Sequence, residues 1–264
     1  MPTNPPKSEN RPEGDRIAKL LSRAGVASRR EVERMIADGR VALHGKTLET
    51  PATILTSLRG VSVDGKPVAA AEPTQLYAFH KPTGLITAER DPAGRATIYD
   101  ALRNALPKDA PRVMPIGRLD LNTEGLLLLT NDGGVKRLME LPSTGIPRTY
   151  RARAFGEVTQ EQLEDLSEGV EIEGMRYGPI DANLERGSGK SGSRNVWIEM
   201  TITEGKNREV RRVLEYLDLK VNRLIRTAYG PFLLGDLPRG GASRIRKGDA
   251  DRFLSSLKQD RRTR

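Results

Sequence analysis

Residues 117–133 read GRLDLNTEGLLLLTNDG, a charged loop that leads directly into an apolar strand. The loop holds Asp120 two residues after Arg118, and four leucines follow at 126–129. An apolar run that ends in an Asn-Asp-Gly turn is typical of a buried strand. A loop attached to such a strand is positioned rigidly, which suits a reactive carboxylate. The residues alone support a second interpretation equally well, in which Asp120 caps a turn and pairs with Arg118.

Hydrophobic patterns on both sides of this segment predict a larger unit that mixes strands and helices. Apolar residues alternate with polar ones from Val196 to Ile202, so one face of that strand should cover a core. We expect Trp197 to pack on this core as well. The predicted strands are 76–80, 126–130, 149–155, 196–203 and 221–225, and the predicted helices include 134–140, 159–168, 207–217 and 248–256. The fold class is therefore α+β, with a mixed, mainly antiparallel β-sheet flanked by helices.

The first part of the chain predicts a separate, small α/β module. Apolar residues recur at helical spacing over 17–24, and Ser28 with Glu31 forms a capping-box pattern before a second helix. Short strands follow, with an Asp-Gly hairpin turn at 64–65. The chain is thus divided into a disordered arm at 1–15, the module at 16–66, a linker at 67–74, the larger domain at 75–256 and a basic tail at 257–264.

The composition excludes several classes of protein. The 264 residues include no cysteine and only two histidines, so disulfide scaffolds, thiolate metal sites and three-histidine metal sites are excluded. No apolar run has the length of a membrane span, and residues 1–15 lack the apolar core of a secretory signal. We therefore expect a cytoplasmic protein without a metal or other cofactor, whose chemistry uses carboxylate, hydroxyl, lysine or arginine groups.

The charge of the chain points to a polyanionic partner. The 44 basic and 35 acidic residues give a net charge of +9. Residues 16–40 and residues 206–226 each carry seven basic and three acidic groups, so these two windows hold eight of the nine charges. Two basic clusters on a chain that is otherwise balanced favour a nucleic acid over two merely solvated helix faces.

Four stretches, in this order along the chain, resemble the motifs of the rRNA pseudouridine synthases. They are KPTG at 81–84, GRLD at 117–120, RTY at 148–150 and EGKNREVRR at 204–212. The N-terminal module resembles the S4 RNA-binding domain that this family carries. The likeness covers about residues 16–240, and on it the chain is identified as a member of that family.

The resemblance implies that Asp120 is the catalytic carboxylate, that Arg211 pairs with it and that Tyr150 packs on the target base. A carboxylate in a partly dry pocket needs a neighbouring cation to stay ionised, which gives Arg211 a physical reason to be there. Plainer interpretations stay open, with Arg211 as a phosphate contact and Tyr150 as an ordinary strand residue.

The resemblance also implies a pocket for an extruded uridine and a basic surface around it. Leu224 would form part of the pocket wall, and we place Arg118 and Asn122, which flank Asp120, in the same pocket. The residues expected to contact RNA are Lys206, Asn207, Arg208, Arg212 and Arg223 near the pocket, and Arg29, Arg30 and Arg40 on the S4-like module. A stem-loop of rRNA is the expected ligand, bound by a monomer.

The third motif and the residues after it most resemble the branch of the family that modifies 23S rRNA of the large subunit. Three alternatives remain at this point. The chain could modify 16S rRNA, or it could be an rRNA-binding assembly factor that kept the fold without the activity. It could also be an enzyme of glycosidase type, with Asp120 and Glu124 as paired carboxyl groups.

Overall fold

The chain folds into two units, the first ending at Pro73 and the second beginning at Thr74. The computed structural model describes residues 13–185 and 194–260. The predicted arm therefore lies outside the described residues up to residue 12, and the predicted tail does so from residue 261.

The first unit, in its described part, contains two helices and six short strands. The helices are α1 (Ile17–Arg23) and α2 (Arg29–Ala37). The strands are β1 (Asp15–Arg16), β2 (Val41–Leu43), β3 (Lys46–Thr47), β4 (Ile54–Leu55), β5 (Val61–Val63) and β6 (Lys66–Pro67). β1 pairs with β4, and the others form a sheet in the order β3-β2-β5-β6.

Local sequence explains where the second helix begins. Ser28 Oγ accepts a hydrogen bond from Glu31 N at 3.2 Å, so Ser28 caps α2 and satisfies one of its free N–H groups. Apolar side chains of α1 and α2 pack against Val41 and Val61, which closes the small core of this unit.

Two predicted boundaries of this unit need correction. Asp15 pairs with Leu55 in β1, so the last residue assigned to the arm belongs to a strand. Pro67 pairs with Ser62, so the first residue assigned to the linker belongs to β6. Asp15 is held by a strand neighbour 40 residues away, which the local composition does not indicate, whereas Pro67 extends the hairpin around the Asp-Gly turn by one residue.

The second unit is built around one large sheet. Its helices are α3 (Ile98–Ala105), α4 (Gly133–Glu140), α5 (Gln160–Glu164), α6 (Glu209–Tyr216) and α7 (Lys247–Asp260), with 3-10 turns at Pro142–Thr144 and Asp165–Glu168. Its strands are β7 (Leu76–Lys81), β8 (Met114–Pro115), β9 (Glu124–Thr130), β10 (Arg148–Phe155), β11 (Val170–Ile172), β12 (Met175–Tyr177), β13 (Ile180–Leu184), β14 (Asn195–Ile202), β15 (Lys220–Tyr229), β16 (Phe232–Leu233) and β17 (Ala242–Arg244).

The sheet has the order β13-β14-β10-β15-β9-β7-β17, with β16 added on β15 and β8 on β9. All of its described pairings are antiparallel except the one between β9 and β15. The predicted fold class, α+β with a mixed and mainly antiparallel sheet, is confirmed.

The parallel contact sets the start of β9 against the middle of β15. Gly125 pairs with Arg226, and a Cβ atom at Gly125 would lie 2.3 Å from the carbonyl oxygen of Arg226. Only glycine allows the two backbones to approach so closely, and its φ of +108° is also a conformation that other residues avoid. The loop before β9 is thereby fixed next to β15.

Two apolar layers cover the sheet, which explains the run of four leucines in β9. Leu127 and Leu129 face the layer that contains α3, α5 and α6, whereas Leu126 and Leu128 face the layer that contains α4 and α7. All four are fully buried. The strand is thus apolar on both faces, as the unbroken run indicates.

The structure places Trp197 outside the core, contrary to the prediction. Its neighbours Val196 and Ile198 point into the core, so alternation sends Trp197 to the opposite face of the sheet. There the guanidinium carbon of Arg151 lies 4.2 Å from its ring centre. The prediction that Trp197 packs on the core is wrong.

Helix α7 also runs beyond its predicted end. It continues to Asp260, so residues 257–260 of the predicted tail are helical, and Leu257 belongs to the core. Within the described ranges, 13–185 and 194–260, we find no helix whose length and apolar character would allow it to cross a membrane.

Candidate active site

A cavity of about 420 Å³ lies beside the loop that precedes β9. Its wall includes the loop at 117–120, the first residues of β10, the turn at 205–208 with the start of α6, and the middle of β15. Three of the four stretches singled out in the sequence therefore meet in one place, although they lie far apart along the chain. The volume is within the range of sites that bind small ligands.

Asp120 is exposed and lines this cavity. Its backbone is held, because its carbonyl oxygen accepts a hydrogen bond from Thr123 N at 3.0 Å. The neighbouring Leu119 is buried, and its N–H and carbonyl both bond to Thr87 Oγ1. In the described part of the chain Asp120 has no ion pair within 4.0 Å, so the interpretation in which it pairs with Arg118 is wrong.

Lys81 holds the backbone of the loop that carries Asp120. The side chain is fully buried, and its Nζ donates hydrogen bonds to the carbonyl oxygens of Asp120 at 3.0 Å, Thr123 at 2.9 Å and Pro82 at 3.1 Å. Burial lowers the pKa of the Lys81 ammonium to about 8, although the charges of Asp120 and Glu124 act in the opposite direction. Lys81 was part of a matched motif, but the sequence did not identify it as a site residue.

Arg211 approaches the same loop from α6. It is buried, and its Nη2 donates to the carbonyl oxygen of Asn122 at 2.9 Å instead of forming an ion pair with Asp120. Burial and the charge of Arg208 lower the pKa of Arg211, whereas the charge of Asp120 raises it. Arg211 is thus an electrostatic neighbour of the carboxylate, and the predicted direct pair is replaced by a bond to the loop backbone.

Tyr150 and Leu224 form an apolar part of the cavity wall. Both are nearly buried and both line the cavity, Tyr150 from β10 and Leu224 from β15. The structure therefore brings together Asp120, Arg211, Tyr150 and Leu224, as the sequence predicts. Arg118 lines the cavity as well, whereas Asn122 reaches the site only through its carbonyl oxygen.

Glu124 has a different environment from Asp120, although it lies only four residues further along. Its side chain is 2% exposed and forms ion pairs with Arg223 and with Arg239, the latter at 2.7 Å. It does not line the cavity. The alternative in which Glu124 is a second reactive carboxyl group, as in a glycosidase, is therefore wrong.

The first residue of α6, Glu209, places a buried carboxyl group in the wall of the cavity. Glu209 Oε2 accepts a hydrogen bond from Lys206 N at 2.8 Å, and Lys206 Nζ binds Glu204 at 2.7 Å. Burial, reinforced by the charge of Glu204, raises the pKa of Glu209 to about 7. Glu209 lines the cavity, and the sequence did not identify it.

The predicted RNA contacts near the pocket fall into two groups. Lys206, Asn207 and Arg208 line the cavity. Arg212 and Arg223 do not line it, and Arg223 is engaged with Glu124. The described residues contain no cluster of three or more histidine, aspartate or glutamate side chains that could hold a metal ion.

The predicted contacts on the first unit are all exposed. Arg29 and Arg30 stand at the start of α2. Arg40 forms an ion pair with Asp64 at 2.7 Å. An exposed pair of this kind exchanges readily with solvent, so Arg40 remains accessible to a phosphate.

Comparison with protein families assigns both units. The family described as RNA pseudouridylate synthase matches residues 75–216, and the S4 domain matches residues 15–58. The first match covers the cavity-lining residues of the loop, of β10 and of the turn before α6.

Relatives match this chain over more than four fifths of its length. A protein of Rickettsia felis described as an uncharacterized RNA pseudouridine synthase is 41% identical over 230 residues, which is 87% of this chain and 96% of that protein. The ribosomal large subunit pseudouridine synthase B of Salmonella typhi is 40% identical over 235 residues, 86% of this chain and 78% of that protein. Among solved structures, a crystal structure of a pseudouridylate synthase matches 89% of this chain and 98% of its own, with a TM-score of 0.60 and 23% identity, and so shares the fold.

Proposed function

This chain belongs to the RNA pseudouridylate synthase family, and on that premise we propose that it converts a uridine of 23S rRNA into pseudouridine through the carboxylate of Asp120. The observation that carries the proposal is the position of Asp120. Its carboxylate faces the cavity without an ion pair within 4.0 Å among the described residues, while the loop that holds it is fixed through its backbone.

The reaction needs one carboxylate and no redox partner. The bond between C1′ and N1 breaks, the uracil rotates, and a new bond joins C1′ to C5. N1 gains a proton, and the proton on C5 is released. Asp120 would act either as a nucleophile at C1′ or as a base at C2′, and both roles require its ionised form. Lys81 and Arg211 bind the backbone of the loop that carries Asp120, which leaves the carboxylate itself free to react.

The target base has to leave its stack to reach Asp120. Extrusion costs a few kcal/mol, and stacking on an aromatic ring offsets about 1–3 kcal/mol of it. Tyr150 brings an aromatic side chain into the cavity wall from β10, and Leu224 lines the same cavity from the neighbouring strand β15. We propose that the extruded uracil lies between this apolar wall and Asp120.

The assignment to 23S rRNA is supported by relatives. The proteins of Salmonella typhi and Pasteurella multocida that are 40% and 39% identical to this chain are both described as ribosomal large subunit pseudouridine synthase B. The S4 domain would bind the RNA through Arg29, Arg30 and Arg40, and the cavity rim through Lys206, Asn207 and Arg208, with Arg212 and Arg223 nearby. A single chain supplies every proposed catalytic group, so we propose a monomer. We also propose that it acts in the cytoplasm.

Tritium release tests both the activity and its residue. In RNA labelled at C5 of uridine, formation of the new bond displaces the label. We expect the wild type to release tritium from 23S transcripts and not from 16S transcripts. Asp120→Asn keeps the size of the side chain and removes its charge, so release should fall by at least about 10³-fold while RNA binding is retained.

Each other outcome contradicts one part of the proposal. Release from 16S transcripts alone would overturn the large-subunit assignment. Equal release by the wild type and Asp120→Asn would overturn the role of Asp120. RNA binding without release by either protein would identify a non-catalytic assembly factor.

A further inference from the structure

Two arginines in the wall of the cavity are buried without an acidic partner. Arg148 is 8% exposed and Arg226 is 2% exposed, and both line the cavity. Arg148 donates to the carbonyl oxygens of Thr203 and Glu204 at 3.1 Å and to the hydroxyl of Tyr229 at 3.2 Å. All three of these acceptors are uncharged.

The guanidinium of Arg226 has fewer hydrogen bonds than that of Arg148. Its Nε donates to the carbonyl oxygen of Leu126 at 2.7 Å, while its buried Nη2 has no hydrogen-bond partner. Over residues 13–185 and 194–260, neither Arg226 nor Arg148 has a carboxylate within 4.0 Å. Removing a guanidinium from water without a counter-ion costs free energy that neutral carbonyl groups return only in part.

Both guanidiniums contact the same aromatic ring. The central carbon of Arg148 lies 4.9 Å from the centre of the Tyr229 ring, and that of Arg226 lies 5.2 Å from it. Two positive charges around one aromatic ring repel each other, so a bound anion would stabilise both at once. A phosphate group matches the planar, forked donors of arginine better than other common anions do.

Strand register relates this pair to the proposed base site. Across β10 and β15, Ala152 pairs with Leu224, Tyr150 with Arg226 and Arg148 with Tyr229. Arg148 and Tyr150 are two residues apart on one face of β10, and Leu224 and Arg226 are two apart on β15. Two residues of strand span about 7 Å, so Arg226 lies across from Tyr150 and one such step from Leu224, and Arg148 lies one step beyond Tyr150. A nucleotide likewise places its phosphate one sugar away from its base.

We propose that Arg148 and Arg226 form an anion subsite of this cavity, which takes the phosphate group of the nucleotide whose base lies at the end marked by Tyr150 and Leu224. The inference rests on the proposed function and adds to it. The subsite would hold the sugar-phosphate backbone of the extruded nucleotide while the base turns, since isomerisation detaches the base but leaves the backbone intact.

Equilibrium dialysis of the full chain tests the subsite without any turnover. The probes are uridine, uridine 5′-monophosphate, uridine 3′-monophosphate and inorganic phosphate. We expect one monophosphate to bind about tenfold or more tightly than uridine, the effect of one charge-assisted hydrogen bond. The preferred isomer identifies which phosphate is bound. Inorganic phosphate should bind more weakly than that isomer and compete with it, but not with uridine.

Variants separate a ligand role from a structural one. Arg226→Gln should lose the preference for the monophosphate, whereas Arg226→Lys should keep most of it because the charge is retained. The matched control is Lys258→Gln on α7, an exposed residue outside the cavity, which should bind all probes like the wild type. Thermal unfolding accompanies each measurement. Because Arg226→Gln removes an uncompensated buried charge, its Tm should not fall below that of the wild type.

Three results would overturn the subsite. They are equal binding of uridine and both monophosphates by the wild type, an unchanged preference in Arg226→Gln, and inorganic phosphate that binds as tightly as the nucleotide. The wild-type comparison decides the matter even if Arg226→Gln fails to fold. None of these results affects tritium release, so the proposed function would stand or fall separately.

Discussion

The loop at 117–123 and the strand at 124–130 are adjacent in sequence, but their carboxyl groups lie in opposite environments. Asp120, in the loop, is exposed to the cavity and has no ion pair within 4.0 Å among the described residues. Glu124, at the first position of the strand, is buried and pairs with two arginines. A carboxylate that is fully engaged stabilises a structure, whereas one that has to react must keep its oxygens free.

The loop is fixed through its backbone and not through the side chain that we propose to react. Lys81 binds the carbonyl oxygens of Asp120 and Thr123, and Arg211 binds that of Asn122. Both cations therefore direct these hydrogen bonds to the main chain, and the carboxylate of Asp120 has no ion pair among the described residues. Because Lys81 and Arg211 bind the loop backbone and not the carboxylate, we expect changes to these residues to alter catalysis and stability in different proportions.

Among the residues that hold the loop, the largest effect is expected for Lys81→Met, which removes a buried donor from three carbonyl oxygens. The loop should shift, and a displacement of about 1 Å can cost about 10²-fold in turnover. Tritium release at saturating RNA should fall by about that factor, with little change in RNA affinity. Lys258→Met, on the surface of α7, is the control. A Lys81→Met variant with normal turnover would show that the loop is held by other contacts.

The pH dependence of the wild type sharpens this prediction. Lys81, with a pKa of about 8, loses its proton as the pH rises through that value, so activity should decline above about pH 8. The fold should not weaken through this group. Between about pH 8 and 10.5 the unfolded chain binds more protons at Lys81 than the native chain, so its contribution to the free energy of unfolding rises with pH. Activity lost in step with circular dichroism would contradict the prediction.

A smaller effect is expected for Glu124→Gln. The change leaves Arg223 and Arg239 without their shared anion, but both arginines are about half exposed and can return to water. We expect urea denaturation to show a loss of about 1–3 kcal/mol in the free energy of unfolding, with turnover reduced by less than about tenfold. Glu185→Gln, which breaks a more exposed pair with Arg151, should cost less than about 1 kcal/mol. Equal losses in the two variants would mean that the burial of Glu124 does not increase the contribution of its ion pairs to the free energy of unfolding.

Sequence patterns reveal the parts of this molecule that depend on near neighbours. The leucine run predicts a strand buried on both faces, and alternation over 196–202 predicts which residues enter the core. The same alternation already placed Trp197 on the other face, so that error was one of interpretation. Helix α3 was missed although Thr97 and Asp100 form a capping box at its start, a signal that short helices carry in their first turn.

Contacts between distant segments left no local signal. Lys81 is 39 residues from Asp120, and Arg211 is 89 residues from Asn122. The motifs indicated that these residues matter, but only the folded chain shows that they bind the loop backbone. The buried pair of Arg148 and Arg226 is a further example, because arginine is normally a surface residue and its burial depends on the register of β10 with β15.

The smallest effect concerns Glu209, a buried carboxyl group that lacks the arginine partners of Glu124. Burial raises the pKa of Glu209 to about 7, so its proton is bound more tightly in the native chain than in the unfolded one. Its contribution to stability is therefore complete below about pH 4.5 and is lost as the pH rises through 7. Glu209→Gln cannot titrate, and it keeps an oxygen that can accept the hydrogen bond from Lys206 N. In urea denaturation at pH 5 and pH 8, the wild type should lose more of its free energy of unfolding between the two values than Glu209→Gln does. Glu199→Gln on β14, where the side chain is exposed, should follow the wild type. If Glu209→Gln showed the same pH dependence as the wild type, the change in stability would not come from titration of Glu209.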